Sequence, residues 1–526
     1  MVLMPKHRLA AITAVALTSA IVTLAQSAPV SRATLPRTAD GKPNFEGIWQ
    51  ASSTAAADLL DHAASHNMLA GRSVVAGAEI PYQPWAAAQK AENFRNRQKA
   101  DPLNQCYIPS VPRIMYLEFP FQIFQTPKEV AIAFEWSLNY RLIRTDGSPH
   151  PTDHESWMGD SRGHWDGDTL IVDVSNYNDK TWFDMAGNFH SDALHVIERY
   201  RMTDSDTIQY EATIEDAKVF TKPWTIHIPL RRRIDRDRLY EYVCQAEAEE
   251  ANGAFTREER TWYPGNGAPA ATPSITAAPR PSATPAKPVA NLRRRADGKP
   301  DLQGFYVPDA GGANYGLEKR AVSDVTPGGR GVIIDPLDGK LPMQPWAVQE
   351  RIDRNKTERG YDDPTAHCFP AGVPRSMYVP TSFHVIQTSD HIVFLLERTS
   401  WRIVALNGRA HLPDAMRLWQ GDSVGRWEGD TLVVDTTNFN GKTWLNEGGE
   451  IVSYAEHVVE RFTPTGPDTL HYEATVTDPV VYTRPWTIAL SLNRDAKFEL
   501  MEAACHEEDR DLPRLKALKD RAAGKQ

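Results

Sequence analysis

The sequence of 526 residues predicts an all-β protein that consists of two homologous antiparallel β-barrels in tandem. Three observations predict this fold. The chain repeats itself at an offset of about 260 residues, short strand-like segments with tight turns follow one another in each copy, and the chain contains 14 Trp and 38 Pro. Large aromatic residues favour strands, and proline favours turns. An open β-sandwich is the alternative arrangement of the same strands.

Composition excludes a mainly disordered chain, a collagen-like protein and a disulfide-dense miniprotein. Hydrophobic residues make up 41% and charged residues 24% of the chain, which are ordinary values for globular domains. The formal net charge of −10 argues against a nucleic-acid partner, because such proteins need a basic surface. A chain of this length also predicts several domains.

The N-terminus has the pattern of a secretory signal peptide over residues 1–27. Lys6 and Arg8 precede an apolar run over residues 9–24, and Ala25 and Ser27 supply the small residues of a cleavage site. The apolar run is shorter than a membrane-spanning helix, which needs about 20 residues. We therefore expect a periplasmic or secreted protein with no transmembrane segment after signal cleavage.

The repeat defines the domains. Residues 37–47 return as 294–304, 163–170 as 425–432, and 221–225 as 483–487. Each copy also has a Pro-Trp-Ala sequence, at Pro84 and Pro345, that predicts a short helix near the start of the domain. Residues rich in Pro, Ala, Thr and Ser separate the copies and predict a linker. The predicted domains span 37–262 and 292–515, with the linker at 263–291.

The four cysteines follow the same repeat. Cys106 and Cys244 lie in the first domain, and Cys368 and Cys505 lie at nearly the same spacing in the second. Four cysteines allow three pairings. Duplicated spacing in an exported chain favours one disulfide in each domain, Cys106–Cys244 and Cys368–Cys505.

Strand signals fill most of each copy. In the first copy they cover 130–136, 140–144, 163–165, 169–172, 194–201, 208–214, 225–230 and 239–246. The sequences Asp146-Gly147 and Asp166-Gly167 mark tight turns between them. No long amphipathic helix interrupts the series, which argues against parallel βαβ units.

The repeated motifs resemble those of a known family. GHWDGDTL and GRWEGDTL, VIERY and VVERF, and FTKPW and YTRPW are similar to motifs of a family of exported bacterial tandem-repeat proteins of unknown function. The resemblance implies an exported β-rich domain and brings no activity with it. The strand pattern is also similar, more weakly, to that of calycin (lipocalin-like) barrels.

Histidines and carboxylates in the first copy are the candidate catalytic groups, because an imidazole titrates near neutral pH. Asp184 and His190 are replaced by Asn446 and Val452 in the second copy, and the residues that follow His150 also differ. We therefore expect an acid–base or ligand site in the first domain and a degenerate second domain. The predicted catalytic residues are His150, Asp153, Asp184, His190 and His195.

Polar and aromatic residues near these loops are the candidate substrate contacts. They are Glu135, Tyr140, Arg141, Trp157, Trp182 and Arg199. Side chains alternate along a strand, so that either Glu198 or Arg199 faces the interior. The alternative interpretation is a structural ion pair inside the barrel, formed by Glu135 or Glu198 with Arg141 or Arg199.

The sequence predicts an enzyme of lyase, isomerase or hydrolase type that acts on a small organic or carbohydrate substrate. His190 or His150 would be the base, oriented by Asp184. No nucleotide-binding motif or strong metal-ligand spacing is present, so we expect no cofactor and no metal. A periplasmic carrier of hydrophobic or aromatic small molecules and a non-catalytic envelope interaction protein are the two alternatives.

Overall fold

A computed structural model of the chain contains two closed β-barrels of nine strands each, in tandem. It describes residues 35–65, 69–152, 154–251, 291–323, 327–398, 400–507 and 509–525. The predicted all-β fold of two barrels is confirmed, and the sandwich alternative is wrong. The predicted signal peptide and residues 263–290 of the predicted linker lie outside the described residues.

The first barrel follows chain order around its circumference, and β1 pairs with β9 to close it. Its strands are β1 (Gly47–Ala51), β2 (Phe121–Gln125), β3 (Glu129–Phe134), β4 (Tyr140–Arg144), β5 (Asp160–Asp166), β6 (Thr169–Ser175), β7 (His195–Asp204), β8 (Thr207–Glu215) and β9 (Trp224–Arg232). Helix α1 (Pro84–Ala100) begins at the predicted proline, and α2 (Cys244–Ala251) follows the last strand.

The second barrel repeats this order. Its strands are β10 (Gly304–Asp309), β12 (Phe383–Gln387), β13 (His391–Leu396), β14 (Ser400–Ala405), β15 (Asp422–Glu428), β16 (Thr431–Thr437), β17 (His457–Pro464), β18 (Thr469–Thr477) and β19 (Trp486–Arg494). A short strand, β11 (Ile333–Asp335), pairs with β19. Helix α3 (Pro345–Arg354) begins at the second predicted proline, and α4 (Leu512–Ala522) lies near the C-terminus.

One strand pair in each barrel is parallel, which the predicted antiparallel arrangement did not include. Strands β4 and β5 run parallel, as do β14 and β15, and all other neighbours within the barrels are antiparallel. Parallel neighbours need a long crossover. The loop 145–159 supplies it in the first barrel, and the same loop carries several candidate site residues.

A buried ion pair lies in the middle of the first barrel. The Arg141 guanidinium donates to both carboxylate oxygens of Glu198, and its Nε donates to the Ser161 hydroxyl at 3.0 Å. The hydroxyls of Tyr200 and Tyr210 donate to Glu198 Oε1 at 2.9 and 2.8 Å. Because these bonds satisfy both charges, the alternative interpretation is confirmed: Arg141 and Glu198 form a structural pair.

The second barrel contains the same pair. Arg402 donates to both oxygens of Glu460, and the Tyr472 hydroxyl donates to Glu460 at 2.9 Å. Phe462 takes the place of Tyr200, so that one hydroxyl is lost. In both copies the centre of the barrel is therefore filled by protein groups.

After its last strand each barrel extends a segment that leaves the sheet. We call residues 233–251 tail one and residues 495–507 tail two. The strand predicted at 239–246 is wrong, because these residues form irregular chain and the start of α2. The predicted disulfides, Cys106–Cys244 and Cys368–Cys505, are confirmed and tie each tail to its own domain.

The tails are exchanged between the barrels. The Glu241 carboxylate of tail one accepts the backbone N–H groups of Trp419 and Gln420 at 2.5 and 3.1 Å. In the same way, Glu502 of tail two accepts those of Trp157 and Met158 at 2.7 and 3.0 Å. Each barrel thus receives a carboxylate from the other at the same place in the fold.

Apolar side chains seal the contact between the barrels. The outer faces of β3 and β13 supply Ala131, Val393 and Leu395 to a shared buried cluster, and Trp401 joins it from β14. The Trp401 indole also donates to the Phe134 carbonyl at 2.8 Å. These strands are consequently buried on both faces. Among the described residues, no helix is both long and apolar enough to cross a bilayer.

The buried ion pair predicts a large effect of single substitution. Arg141→Met leaves the fully buried Glu198 carboxylate without its cation, which lowers the free energy of unfolding by about 3–5 kcal/mol. Arg199→Met is the matched control, because Arg199 lies on the outer face and its loss costs about 1 kcal/mol or less. Urea unfolding of both variants measures the difference, and equal losses would contradict the structural role.

Candidate functional site

A cavity of about 330 Å³ lies between the first barrel and tail two. We call it cavity one. Strands β4 and β5 and the loop 151–159 form one side, and residues 497–502 form the other. It exists because tail two docks beside β4 while Glu502 holds the loop through its backbone.

The walls of cavity one are largely apolar. Tyr140, Leu142 and Met158 contribute from the first barrel, and Phe498 and Met501 from tail two. Phe498 is 62% exposed and Met501 is 52% exposed, which is unusual for large apolar side chains. Methionine adapts its shape to different contacts. This side of the protein therefore presents an apolar surface that a ligand could cover.

The acidic groups of cavity one have partners, and the exposed Lys497 also lines the cavity. Arg162 donates to Asp160 at 2.7 Å and to Glu499 at 3.0 Å, and Arg144 lies 3.2 Å from Glu499. Glu502 is occupied by the two backbone N–H groups of the loop. The acidic side chains of the cavity therefore already have partners.

His154 brings an unpaired ring nitrogen to cavity one. Its Nε2 atom is buried and has no hydrogen-bond partner among the described residues, although the side chain lines cavity one. An unpaired buried polar atom is unfavourable unless another group satisfies it. The imidazole of His154 is thus a candidate ligand contact that the predicted residues did not include.

The equivalent cavity in the second barrel is almost closed. It lies between β14, β15 and tail one and has a volume of about 40 Å³. Arg238 and Arg409 both reach Asp422, at 3.2 and 2.7 Å, and fill the space with their guanidinium groups. At cavity one, Glu499 of tail two stands in place of Arg238, and Ser148 of the first barrel stands in place of Arg409. His154 corresponds to Ala415.

Two of the predicted catalytic histidines meet on the outer face of the first barrel. His150 Nδ1 lies 2.5 Å from Asp160, and His150 Nε2 lies 3.2 Å from Asp173. His195 Nε2 lies 3.0 Å from the same Asp173 oxygen, and its Nδ1 lies 3.2 Å from Glu215. Both ring nitrogens of each histidine therefore have a carboxylate partner, so neither ring nitrogen is left over to contact a ligand.

The second barrel repeats this outer cluster. His411 contacts Asp422 at 3.2 Å and Asp435 at 3.1 Å, and His457 contacts Asp435 at 3.1 Å. Hydrogen bonds to the two carboxylates raise the pKa of His411 to about 9. Because both copies have the cluster, we interpret it as a support that fixes the crossover loop to β5, β6 and β7.

Asp184 organises a turn inside the first domain. It is 0% exposed and accepts the backbone N–H groups of Leu59 and Asn188 at 2.9 and 3.1 Å, as well as the Asn188 amide. Burial raises its pKa to about 7, and the charge of Asp58 adds to this effect. No direct hydrogen bond among the described residues joins Asp184 to His150 or His195.

In the second domain, a carboxylate at a different position accepts a leucine backbone N–H. Asn446 replaces Asp184, but Glu450 replaces Asn188, and Asn446 donates its amide to Glu450. Glu450 then accepts the backbone N–H of Leu317 at 3.1 Å. The two copies have exchanged acid and amide, so the substitution at Asp184 does not mark the loss of a catalytic acid.

His190 is a buried histidine with both nitrogens satisfied. It is 3% exposed, and its Nδ1 donates to the Ser191 carbonyl at 2.9 Å while its Nε2 accepts from the Thr181 hydroxyl at 2.6 Å. Burial lowers its pKa below the usual value. Asp184 and His190 therefore do not join His150 in one site, contrary to the predicted convergence.

The other predicted residues are dispersed. Glu135 accepts from Arg236 of tail one at 2.8 Å, and Arg199 lies 3.3 Å from Glu211 on the outer surface. Trp157 is buried against Tyr107, and Trp182 forms a bridge to Phe189. Asp153 lies outside the described residues. Of the predicted substrate contacts, Tyr140 and Arg141 line cavity one, although the Arg141 guanidinium is bonded inside the barrel.

Sequence reasoning missed the part of the site that comes from tail two. A signal was present, because Phe498 and Met501 of tail two correspond to Asp237 and Tyr240 of tail one. Among the described residues, no group of three or more His, Cys, Asp or Glu side chains could hold a metal ion.

No family model, curated protein or solved structure matches the chain. The resemblance to exported tandem-repeat proteins and to lipocalin-like barrels therefore stays a prediction.

The exchanged acid and amide predict a rescue. Asp184→Asn places an amide among three donors and lowers the free energy of unfolding by about 1–3 kcal/mol. Adding Asn188→Glu reproduces the Asn446–Glu450 pair of the second domain and should restore most of the lost free energy of unfolding. Urea unfolding at neutral pH measures both variants. A double variant no more stable than the single one would contradict the proposed exchange.

The outer cluster of the second barrel predicts a pH dependence. The pKa of His411 is raised, so its contribution to stability is complete below about pH 6.5 and is lost as the pH rises through about 9. The loss is about 1–2 kcal/mol, because solvent screens a side chain that is 30% exposed. Urea unfolding at several pH values should show this loss of stability in the native protein but not in His411→Asn. The exposed His164→Asn is the control and should keep the native profile.

Proposed function

We propose that the protein is an exported binding protein for small molecules that have an apolar body and one hydrogen-bonding group. This is the carrier function among the predicted alternatives. The observation that carries the proposal is cavity one, which is open, apolar and present at this size in only one of the two equivalent places of the described chain.

The chemistry of the cavity supports this ligand class. Apolar side chains dominate its walls, and such a surface gains free energy when a ligand removes it from water, at about 25 cal/mol per Å². The acidic groups have partners, whereas the buried His154 nitrogen has none among the described residues, and the exposed Lys497 also lines the cavity. A ligand hydroxyl, carbonyl or carboxyl group would satisfy it. A few polar contacts in an apolar cavity are typical of small-molecule sites.

The filled barrels also support a site at the periphery. A lipocalin-like carrier would hold its ligand along the barrel axis, but here the buried ion pairs and tyrosines occupy that space. The docking of tail two creates an alternative space beside β4. The disulfide Cys368–Cys505 fixes tail two to its own domain, so the cavity wall is held in position.

Catalysis is the second candidate function, and His154 is the observation that favours it. The outer histidines are held between carboxylates, and His190 is satisfied within the core. His154 combines an unpaired ring nitrogen with access to cavity one. It would be the acid–base group of the predicted lyase, isomerase or hydrolase, in place of His150 or His190.

Calorimetric titration of the full chain tests the binding function. The probes are phenol, benzyl alcohol and benzoate, with toluene as the probe that lacks a polar group. We expect His154→Ala to weaken the binding of the polar probes by about tenfold and to leave toluene nearly unchanged. Phe498→Asp, which introduces the residue of tail one, should weaken all four.

The exposed His164→Ala serves as the control and should bind as the native protein does. Failure of all four probes to bind, or equal affinity in the native protein and both cavity variants, would contradict the binding function. Conversion of a bound probe that depends on His154 would favour the catalytic function instead.

A further inference from the structure

A second cavity, of about 70 Å³, lies between the two domains and is separate from cavity one. We call it the interface cavity. Both disulfides contribute to its walls, together with residues of the two barrels and both tails. The second domain contributes Ser376, Thr381, Arg398 and Ser400 to the lining.

Three aromatic rings fill the equivalent place in the first domain. The Trp136 ring centre lies 5.2 Å from that of Phe119 and 5.3 Å from that of Tyr242. Phe119 and Tyr242 are 4.7 Å apart. These rings pack against each other and leave no comparable space.

The second domain has smaller or polar residues at all three positions. One position lies two residues before β2 or β12, one lies two residues after β3 or β13, and one lies two residues before the second cysteine of each disulfide. Phe119, Trp136 and Tyr242 are thus replaced by Thr381, Arg398 and Ala503. Two of the three replacements, Thr381 and Arg398, line the interface cavity.

A fourth substitution places a hydroxyl in the same cavity. Ser376 follows the buried Arg375, whereas Ile114 follows the equivalent Arg113 of the first domain. Ser376 is 2% exposed, and its hydroxyl has no hydrogen-bond partner among the described residues. A buried hydroxyl without a partner is unfavourable, so a bound group that satisfies it would gain that free energy.

Arg398 adds a positive charge at the mouth. Its side chain is exposed and forms no hydrogen bond or salt bridge with another described residue. It acts on Glu447 only through longer-range electrostatics, and there Arg375 has the larger effect. The carboxylate of Glu507, which also lines the cavity, accepts the backbone N–H of Ile108 at 2.7 Å.

We propose that the interface cavity binds a small organic carboxylate, with the Arg398 guanidinium on the carboxylate and the Ser376 hydroxyl on an oxygen of the ligand. A planar guanidinium matches the two oxygens of a carboxylate. The hydroxyls of Thr381 and Ser400 line the same space and favour an acid that also has a hydroxyl group.

Charge and volume both select this class of ligand. Arg398 is a lining cation without a salt-bridge partner among the described residues, and one positive charge matches a monoanion better than a phosphate dianion beside Glu507. A volume of 70 Å³ holds a few water molecules or an acid of two or three carbons. Because domains one and two both line the cavity, a bound acid would also stabilise their pairing.

Calorimetry on the full chain tests this site, with sodium acetate and sodium lactate as probes and sodium phosphate and sodium chloride as comparison salts at equal ionic strength. We expect the carboxylates to bind and lactate to bind more tightly than acetate. Arg398→Gln should weaken both by about tenfold or more. Ser376→Ala should weaken both several-fold without lowering the melting temperature.

A triple variant provides the decisive control. Thr381→Phe, Arg398→Trp and Ala503→Tyr together introduce the ring set of the first domain, which should fill the cavity and abolish binding in a folded protein. Arg201→Gln, an exposed arginine on β7, should bind as the native protein does. Carboxylate binding that persists in the triple variant, tighter binding of phosphate, or the absence of any carboxylate binding would overturn the proposal.

Discussion

A guanidinium and a carboxylate, both removed from water, occupy the middle of each barrel. Arg141 with Glu198 and Arg402 with Glu460 are surrounded by tyrosine and serine hydroxyls that satisfy their remaining bonds. Such a pair tolerates no missing partner, because a single buried charge is far less stable than the pair. The interior is therefore unavailable to a ligand, and binding sites are confined to the surfaces where loops and tails meet the barrel.

The differences between the two copies locate those sites. Cavity one is open where the first copy has Ser148 and tail two has Glu499, and it is filled where the second copy has Arg409 and tail one has Arg238. The interface cavity shows the opposite asymmetry, because the second domain has lost a set of aromatic rings. Equivalent parts of a duplicated fold thus serve as controls for one another: a difference that leaves a space is informative, whereas the acid–amide exchange at Asp184 keeps in each copy a carboxylate that accepts a leucine backbone N–H.

The barrels, their order and the disulfides could be predicted from the sequence, since periodicity and duplicated spacing are local signals. Because side chains alternate along β7, the sequence also predicted that either Glu198 or Arg199 faces the interior, and Glu198 does. The site could not be predicted in the same way. The carboxylate that holds the backbone of Trp157 comes from Glu502, 345 residues further along the chain, and no local pattern encodes such a contact. His150, His190 and His195 were expected to be catalytic from residue type and from differences between the copies, but hydrogen bonds to carboxylates, a hydroxyl or a carbonyl satisfy all three.

The exchanged tails have a consequence for how the two domains stay together. An interface in which each side presents the same patch to the other has the symmetry of a two-fold dimer. Two separate chains would form it only at sufficient concentration. One polypeptide replaces that requirement with an effective local concentration, in the millimolar range for short flexible connections. Dilution would dissociate a pair of single-domain chains, but it cannot dilute one half of this molecule away from the other.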